Sequence, residues 1–75
     1  MENQAVDVNA YFARHAPFTE YASVRVRAVN ALVRGGISTM DELCGASAED
    51  IKKIRNLGER SLKLALIMRE KYSYA

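Results

Sequence analysis

All four glycines of this 75-residue chain lie between positions 35 and 58, each at the edge of a helical pattern. They cut the chain into segments too short for a long bundle. Ser23 is placed to cap a helix over 24–34, with Val26, Val29 and Val33 at i, i+3 and i+7 and Leu32 beside them, and Gly35-Gly36 ends it. Thr39-Met-Asp-Glu42 is a capping-box pattern opening a short helix through Leu43 and Cys44, which Gly45 stops. Ser47-Ala-Glu-Asp50 repeats the device before Ile51 and Ile54, and Asn56-Leu57-Gly58 breaks the chain again. A last helix runs from Glu59 to about Lys71. Leu62, Ala65 and Met68 or Arg69 supply its core stripe, and Leu64, Leu66 and Ile67 extend the apolar surface. No stretch alternates with period two for long enough to make a strand. The expected fold is all-α, a compact bundle of four to five short helices with a helix-hairpin-helix-like turn at residues 55–60.

Ahead of this lies a leader, residues 1–19, with the domain proper spanning 20–75. The leader has room for one short helix carrying Val6, Val8, Tyr11 and Phe12. Asp7 or Asn3 can cap its start, and Pro17 forces a stop near His15 or Ala16. Hydrophobic residues at 49% and charged ones at 27% fit a globular domain and not a disordered tail. A single cysteine excludes a disulfide framework or a Cys-rich zinc site and suits a reducing, cytoplasmic setting. No apolar run reaches membrane-spanning length, and the first residues have no signal-peptide core. The net charge of +2 is unevenly placed: residues 1–20 sum to −2 and residues 21–75 to +4. A basic domain behind an acidic leader is compatible with a polyanion partner.

The chemistry concentrates at Asn56-Leu57-Gly58-Glu59-Arg60-Ser61. The first N–H groups of the helix that starts here have no intrahelical partners, and the peptide dipoles add partial positive charge. Phosphate is the usual occupant of such a terminus. Gly58 lets it approach the backbone, while Arg60 and Ser61 add a cation and a hydroxyl. An αα-corner whose glycine merely permits tight packing would look the same. Arg27 and Asn30, three apart on the 24–34 helix, share an edge away from the valine stripe. An arginine and an asparagine on one helical edge suit contact with a narrowed A/T-rich minor groove, where negative potential is strongest. A solvated polar face is the plainer alternative.

Three stretches together, Arg27-Ala-Val-Asn30-Ala-Leu, Gly36-Ile-Ser-Thr-Met-Asp-Glu-Leu43 and Glu49 through Leu62, resemble the C-terminal domain of the bacterial RNA polymerase alpha subunit. The likeness covers about residues 20–71. It implies a compact helical domain that binds A/T-rich upstream promoter DNA through the minor groove and touches transcription activators and the sigma factor. By position it implies that Arg27 enters the groove, that Asn30 supports it, and that Asn56, Gly58, Arg60 and Ser61 hold the backbone. Arg60 stands where the family often has lysine, Ala31 where it often has cysteine, and Leu64 where many members carry a glutamate bordering the DNA site. The family's acidic sigma patch falls on Tyr21 and Ser23, neither charged, so that contact is not expected here. Members are normally tethered by a flexible linker to a large assembly domain. The apolar leader favours a stand-alone relative over a cut-out piece.

Double-stranded DNA is therefore the expected partner, with RNA polymerase or transcription activators beside it, and no membrane. No Ser-His-Asp, Walker or dinucleotide pattern is present, so neither catalysis nor a cofactor is expected. The alternative is a protein-interaction or homodimerisation module with little DNA affinity, associating through Leu64, Leu66, Ile67 and the leader. Cys44 reads as a small buried hydrophobe, His15 has no metal-ligand neighbours, and Asp41-Glu42 and Glu49-Asp50 favour their helix dipoles.

Overall fold

In a computed structural model that describes residues 6–15 and 22–74, the protein forms five helices: α1 (Val8–His15), α2 (Ala22–Arg34), α3 (Met40–Gly45), α4 (Ala48–Lys52) and α5 (Glu59–Ser73). Asn3, Pro17 and Tyr21, which carry a candidate cap, the expected stop and part of the sigma-patch position, lie outside the described residues. The only strand-like feature among the described residues is an isolated bridge between Asp7 and Thr39. The fold is all-α, as the sequence predicts.

The short helices start where four-residue signals place them. Thr39 caps α3: its hydroxyl accepts from the Glu42 N–H at 3.1 Å, and the Glu42 carboxylate accepts from the Thr39 N–H at 3.1 Å. Ser47 caps α4 in the same way, accepting from the Asp50 N–H at 3.1 Å. At α1, Asp7 accepts from the Ala10 N–H at 3.2 Å. Ser23 does not cap α2, because that helix already runs from Ala22.

α2 and α5 pack as the principal pair, α3 and α4 lie against α5, and α1 lies against α2 and α3. A radius of gyration of 11.4 Å meets the expectation of about 11 Å for a folded polypeptide of this length. The core contains Val8, Phe12, Val24, Ala28, Leu32, Met40, Leu43, Ile51, Leu64, Ala65 and Met68. Two expected faces need correction. On α2, Val29 and Leu32 are buried as expected, but Val26 and Val33 are 51% and 47% exposed, and Val24, Ala28 and Ala31 complete the inward face. Both stripes have helical period, and the inward one uses alanines, whose small side chains let neighbouring elements approach closely. On α5 the buried residues are Ser61, Leu64, Ala65 and Met68: Ala65 and Met68 are buried as expected, while Leu62 is half-buried and Leu64, expected to extend the outer apolar surface, lies in the core. Leu64 is only 3% exposed. It can neither rim a DNA site nor present itself to a second copy; Leu66 is half-buried and Ile67 exposed.

α1 is sewn in by backbone as well as by side chains. The Val8 N–H donates to the Ser38 carbonyl at 3.0 Å, and the Met40 N–H donates to the Val6 carbonyl at 2.7 Å. Val8 and Phe12 are wholly buried, and Tyr11 stands edge-on to Tyr72 of α5 with ring centroids 5.2 Å apart. Arg69 ties α5 to the end of α3. Its Nη2 donates to the Ala46 carbonyl at 2.9 Å and its Nε to the Leu43 carbonyl at 3.3 Å. Cys44 is half-buried rather than buried, and its Sγ lies 3.6 Å from the Arg69 carbonyl.

Candidate nucleic-acid interface

α5 begins differently from its neighbours. Its N-cap is Gly58, which offers no side-chain bond, whereas α3 and α4 are closed by Thr39 and Ser47. The first i→i−4 bond is made by the Leu62 N–H to the Gly58 carbonyl at 2.8 Å. Among the described residues, the N–H groups of Glu59, Arg60 and Ser61 have no partner, as expected of a first turn, and the helix dipole adds positive potential to them. Gly58 has extended dihedrals, φ −69° and ψ 177°, that any residue adopts. Its importance is space: a Cβ there would meet no atom within 4 Å, so the flank of the helix start is open to a ligand.

Asn56 turns the backbone into that start. It is in the left-handed region at φ 68°, a conformation asparagine tolerates better than most side chains. The Leu57 N–H closes the turn on the Ile54 carbonyl at 3.3 Å.

A depression of about 410 Å³ lies over this corner and is lined by Ser23, Val24, Arg27, Asn56, Gly58, Glu59, Arg60 and Ser61. A second, of about 310 Å³, is lined by Arg27, Asn30, Ala31, Arg34 and Asn56. Arg27 and Asn56 border both. The six residues singled out from sequence, Arg27, Asn30, Asn56, Gly58, Arg60 and Ser61, thus lie around one continuous surface. Arg27, Asn30, Asn56, Gly58 and Arg60 are exposed, whereas Ser61 is 6% exposed and forms part of the wall rather than a free arm. Arg27 and Asn30 share an exposed edge as expected, although Val26 and Val33 are exposed with them. The arrangement offers three guanidinium groups, amide side chains and an open helix start to an anionic ligand. Glu59 sets one carboxylate against them.

Sequence reasoning passed over Arg34 and Arg55. Arg34 borders the Arg27 depression, and both arginines line a third of about 520 Å³ with Gly35, Ile54 and Asn56. Arg34 follows Arg27 by seven residues, two helical turns along the same side, and that spacing was the available signal. Nothing local marks Arg55, which reaches the surface through the turn at Asn56. No group of three or more His, Cys, Asp or Glu side chains suited to a metal occurs among the described residues.

A five-helix all-α domain carrying a cationic furrow beside an open helix start is the class of molecule these features define. The protein belongs to the family of the C-terminal domain of the bacterial RNA polymerase alpha subunit, whose family model matches residues 23–64. It is 48% identical over 44 residues to the DNA-directed RNA polymerase subunit alpha of Clostridium botulinum (strain Hall), a match covering 59% of this sequence and 14% of that relative. The subunit of the same name from Clostridium perfringens (strain 13) gives the same identity and coverage. The match thus spans only a small part of these relatives' length. No solved structure matches it. All six candidate residues fall inside the matched segment; α1 and the last turns of α5 fall outside it.

Proposed function

We propose that this protein is a non-catalytic DNA-binding module of transcription that takes A/T-rich duplex through the minor groove. The observation that carries the reading is the shared surface on which Arg27 and Asn30 of α2 meet Asn56, Gly58, Arg60 and Ser61 of the corner before α5. In this reading the Arg27 guanidinium enters the groove, drawn by the strong negative potential of a narrow A/T tract. Asn30 and Asn56 offer amide groups to sugar or base edges beside it. The open N–H groups of α5, with the Arg60 charge, hold a backbone phosphate. RNA polymerase and transcription activators are the protein partners this reading implies, by analogy with the relatives' polymerase. A cytoplasmic setting goes with it; among the described residues no helix is long and apolar enough to cross a membrane.

Phosphate contacts number roughly three to four, so log K should fall against log salt with a slope near −3. The test is fluorescence anisotropy with A/T-rich and G/C-rich duplexes. Arg27→Ala should abolish the preference for A/T-rich duplex, and Arg60→Ala should lower affinity for both alike. Equal effects of the two substitutions on both duplexes would reject the minor-groove assignment. The rival, a self-association module, is weakened because Leu64 is a core residue. It would be favoured by a dimer in sedimentation with no duplex binding at low salt.

A further inference from the structure

The furrow does not end at Asn30. Its three depressions run in order along α2: the first reaches from Ser23 to Arg27, the second from Arg27 to Arg34, the third from Arg34 to Gly35. Asn56 borders all three. From Ser23 to Arg34 the helix rises by about 16 Å, and from Arg27 to Arg34 by about 10 Å. Arg27 therefore stands between two cationic ends. One end is the start of α5 with Arg60; the other is Arg34 with Arg55.

A specific backbone contact brings the second pair together. Gly35 lies against Ile54, and a Cβ on it would come within 3.1 Å of Ile54 Cγ2, 3.3 Å of Ile54 Cγ1 and 3.3 Å of the Ala31 carbonyl. A Cβ at Gly35 would be tighter than usual there, so Ile54 would have to give by a few tenths of an ångström, and the glycine lets the end of α2 lie this close to the turn after α4 without that adjustment. That approach places Arg34 and Arg55, far apart in sequence, on the rim of one depression. Both are exposed.

We infer that Arg34 and Arg55 form a second backbone-phosphate site, which holds the phosphate row on the other border of the groove that Arg27 enters. The inference rests on the minor-groove reading above and adds a contact to it. A minor groove about 6 Å wide leaves both bordering rows within the reach of a furrow this long. Paired guanidinium forks match phosphate oxygens in a way that a point charge does not. Because the site touches only backbone, it supplies affinity and orientation without reading sequence.

Titrations of the 75-residue chain with A/T-rich and G/C-rich duplexes from about 50 to about 200 mM salt test this. The double substitution Arg34→Ala/Arg55→Ala should weaken binding several-fold on both duplexes alike and make the log–log salt slope shallower by about 1. It should leave the A/T preference and the helical circular dichroism of the wild type in place. Lys71→Ala, which removes the same kind of charge near the far end of α5, should leave the slope unchanged. A double variant with the wild-type slope and affinity overturns the second site, and so does an equal loss with Lys71→Ala. If Arg27→Ala and Arg60→Ala still act as proposed in that case, only the second site falls. If they too leave binding unchanged, the reading beneath it falls as well.

Discussion

Among the described residues, Glu59 is the one acidic side chain lining the candidate surface, and it stands directly before Arg60 in the first turn of α5. Its charge suits the helix dipole but opposes any anion that comes to the same N–H groups. Replacing it with glutamine keeps the shape and removes the opposition. Glu59→Gln should therefore tighten duplex binding by a few-fold on A/T-rich and G/C-rich sequences alike, read by anisotropy at low salt and shrinking as salt screens the effect. Unchanged affinity would mean that the anion does not approach this end of α5. The candidate residues themselves were legible because each belongs to a short pattern: Arg27 and Asn30 on one helical edge, Asn56 through Ser61 at one turn. Arg34 had a signal in its seven-residue spacing from Arg27, but its meeting with Arg55 was not legible, because it depends on Gly35 lying against Ile54, a contact between distant segments that no local spacing encodes.

Among the elements, α3 carries the clearest electrostatic signature. The Glu42 carboxylate accepts from the Ser38 N–H at 2.8 Å, the Thr39 N–H at 3.1 Å and the Ser38 hydroxyl at 3.2 Å. These donors, the Ser38 N–H foremost, hold its pKa below the ordinary 4.5. A depressed carboxyl stabilises the fold above its unfolded pKa, and that contribution is lost as pH falls through the lower folded value. Glu42→Gln should accordingly flatten the acid limb of a melting-temperature profile below about pH 4.5, while the wild type loses stability more steeply there. Parallel acid limbs would show that the capping box contributes little. Tyr72 behaves in the opposite sense: partial desolvation first, then the nearby Asp41 charge, raises its pKa above 10.0. Its contribution is present below pH 10 and fades as pH climbs through the folded value. Helix starts such as Thr39 and Ser47 could be read from sequence because capping is a four-residue matter. The inward face of α2 could be read only in part: Val29 and Leu32 are buried as expected, but Val24, Ala28 and Ala31 complete the face in place of Val26 and Val33, and tertiary packing makes that choice.

At the scale of the molecule, the family match begins at residue 23, yet the core draws on a helix that ends at His15. Val8 and Phe12 are fully enclosed, and the segment before α1 supplies a carbonyl to the start of α3. A domain of this size buries a modest share of its unfolded surface, so one large side chain is a considerable part of its stability. Phe12→Ala should cost about 3–5 kcal/mol, against a total of about 5–15 kcal/mol for an ordinary domain. Urea unfolding followed by circular dichroism would show the midpoint drop sharply. A loss below about 1 kcal/mol would show that α1 is dispensable to the packing.

The glycine that opens α5 leaves the folded protein holding a terminus that the unfolded polypeptide does not possess. An anion seated there binds one state and ignores the other, so occupancy shifts the folding equilibrium by mass action, by about 2.7 kcal/mol at a hundredfold excess over the dissociation constant. If the proposed phosphate contact is made there, the fold should melt at a higher temperature with duplex present than without it.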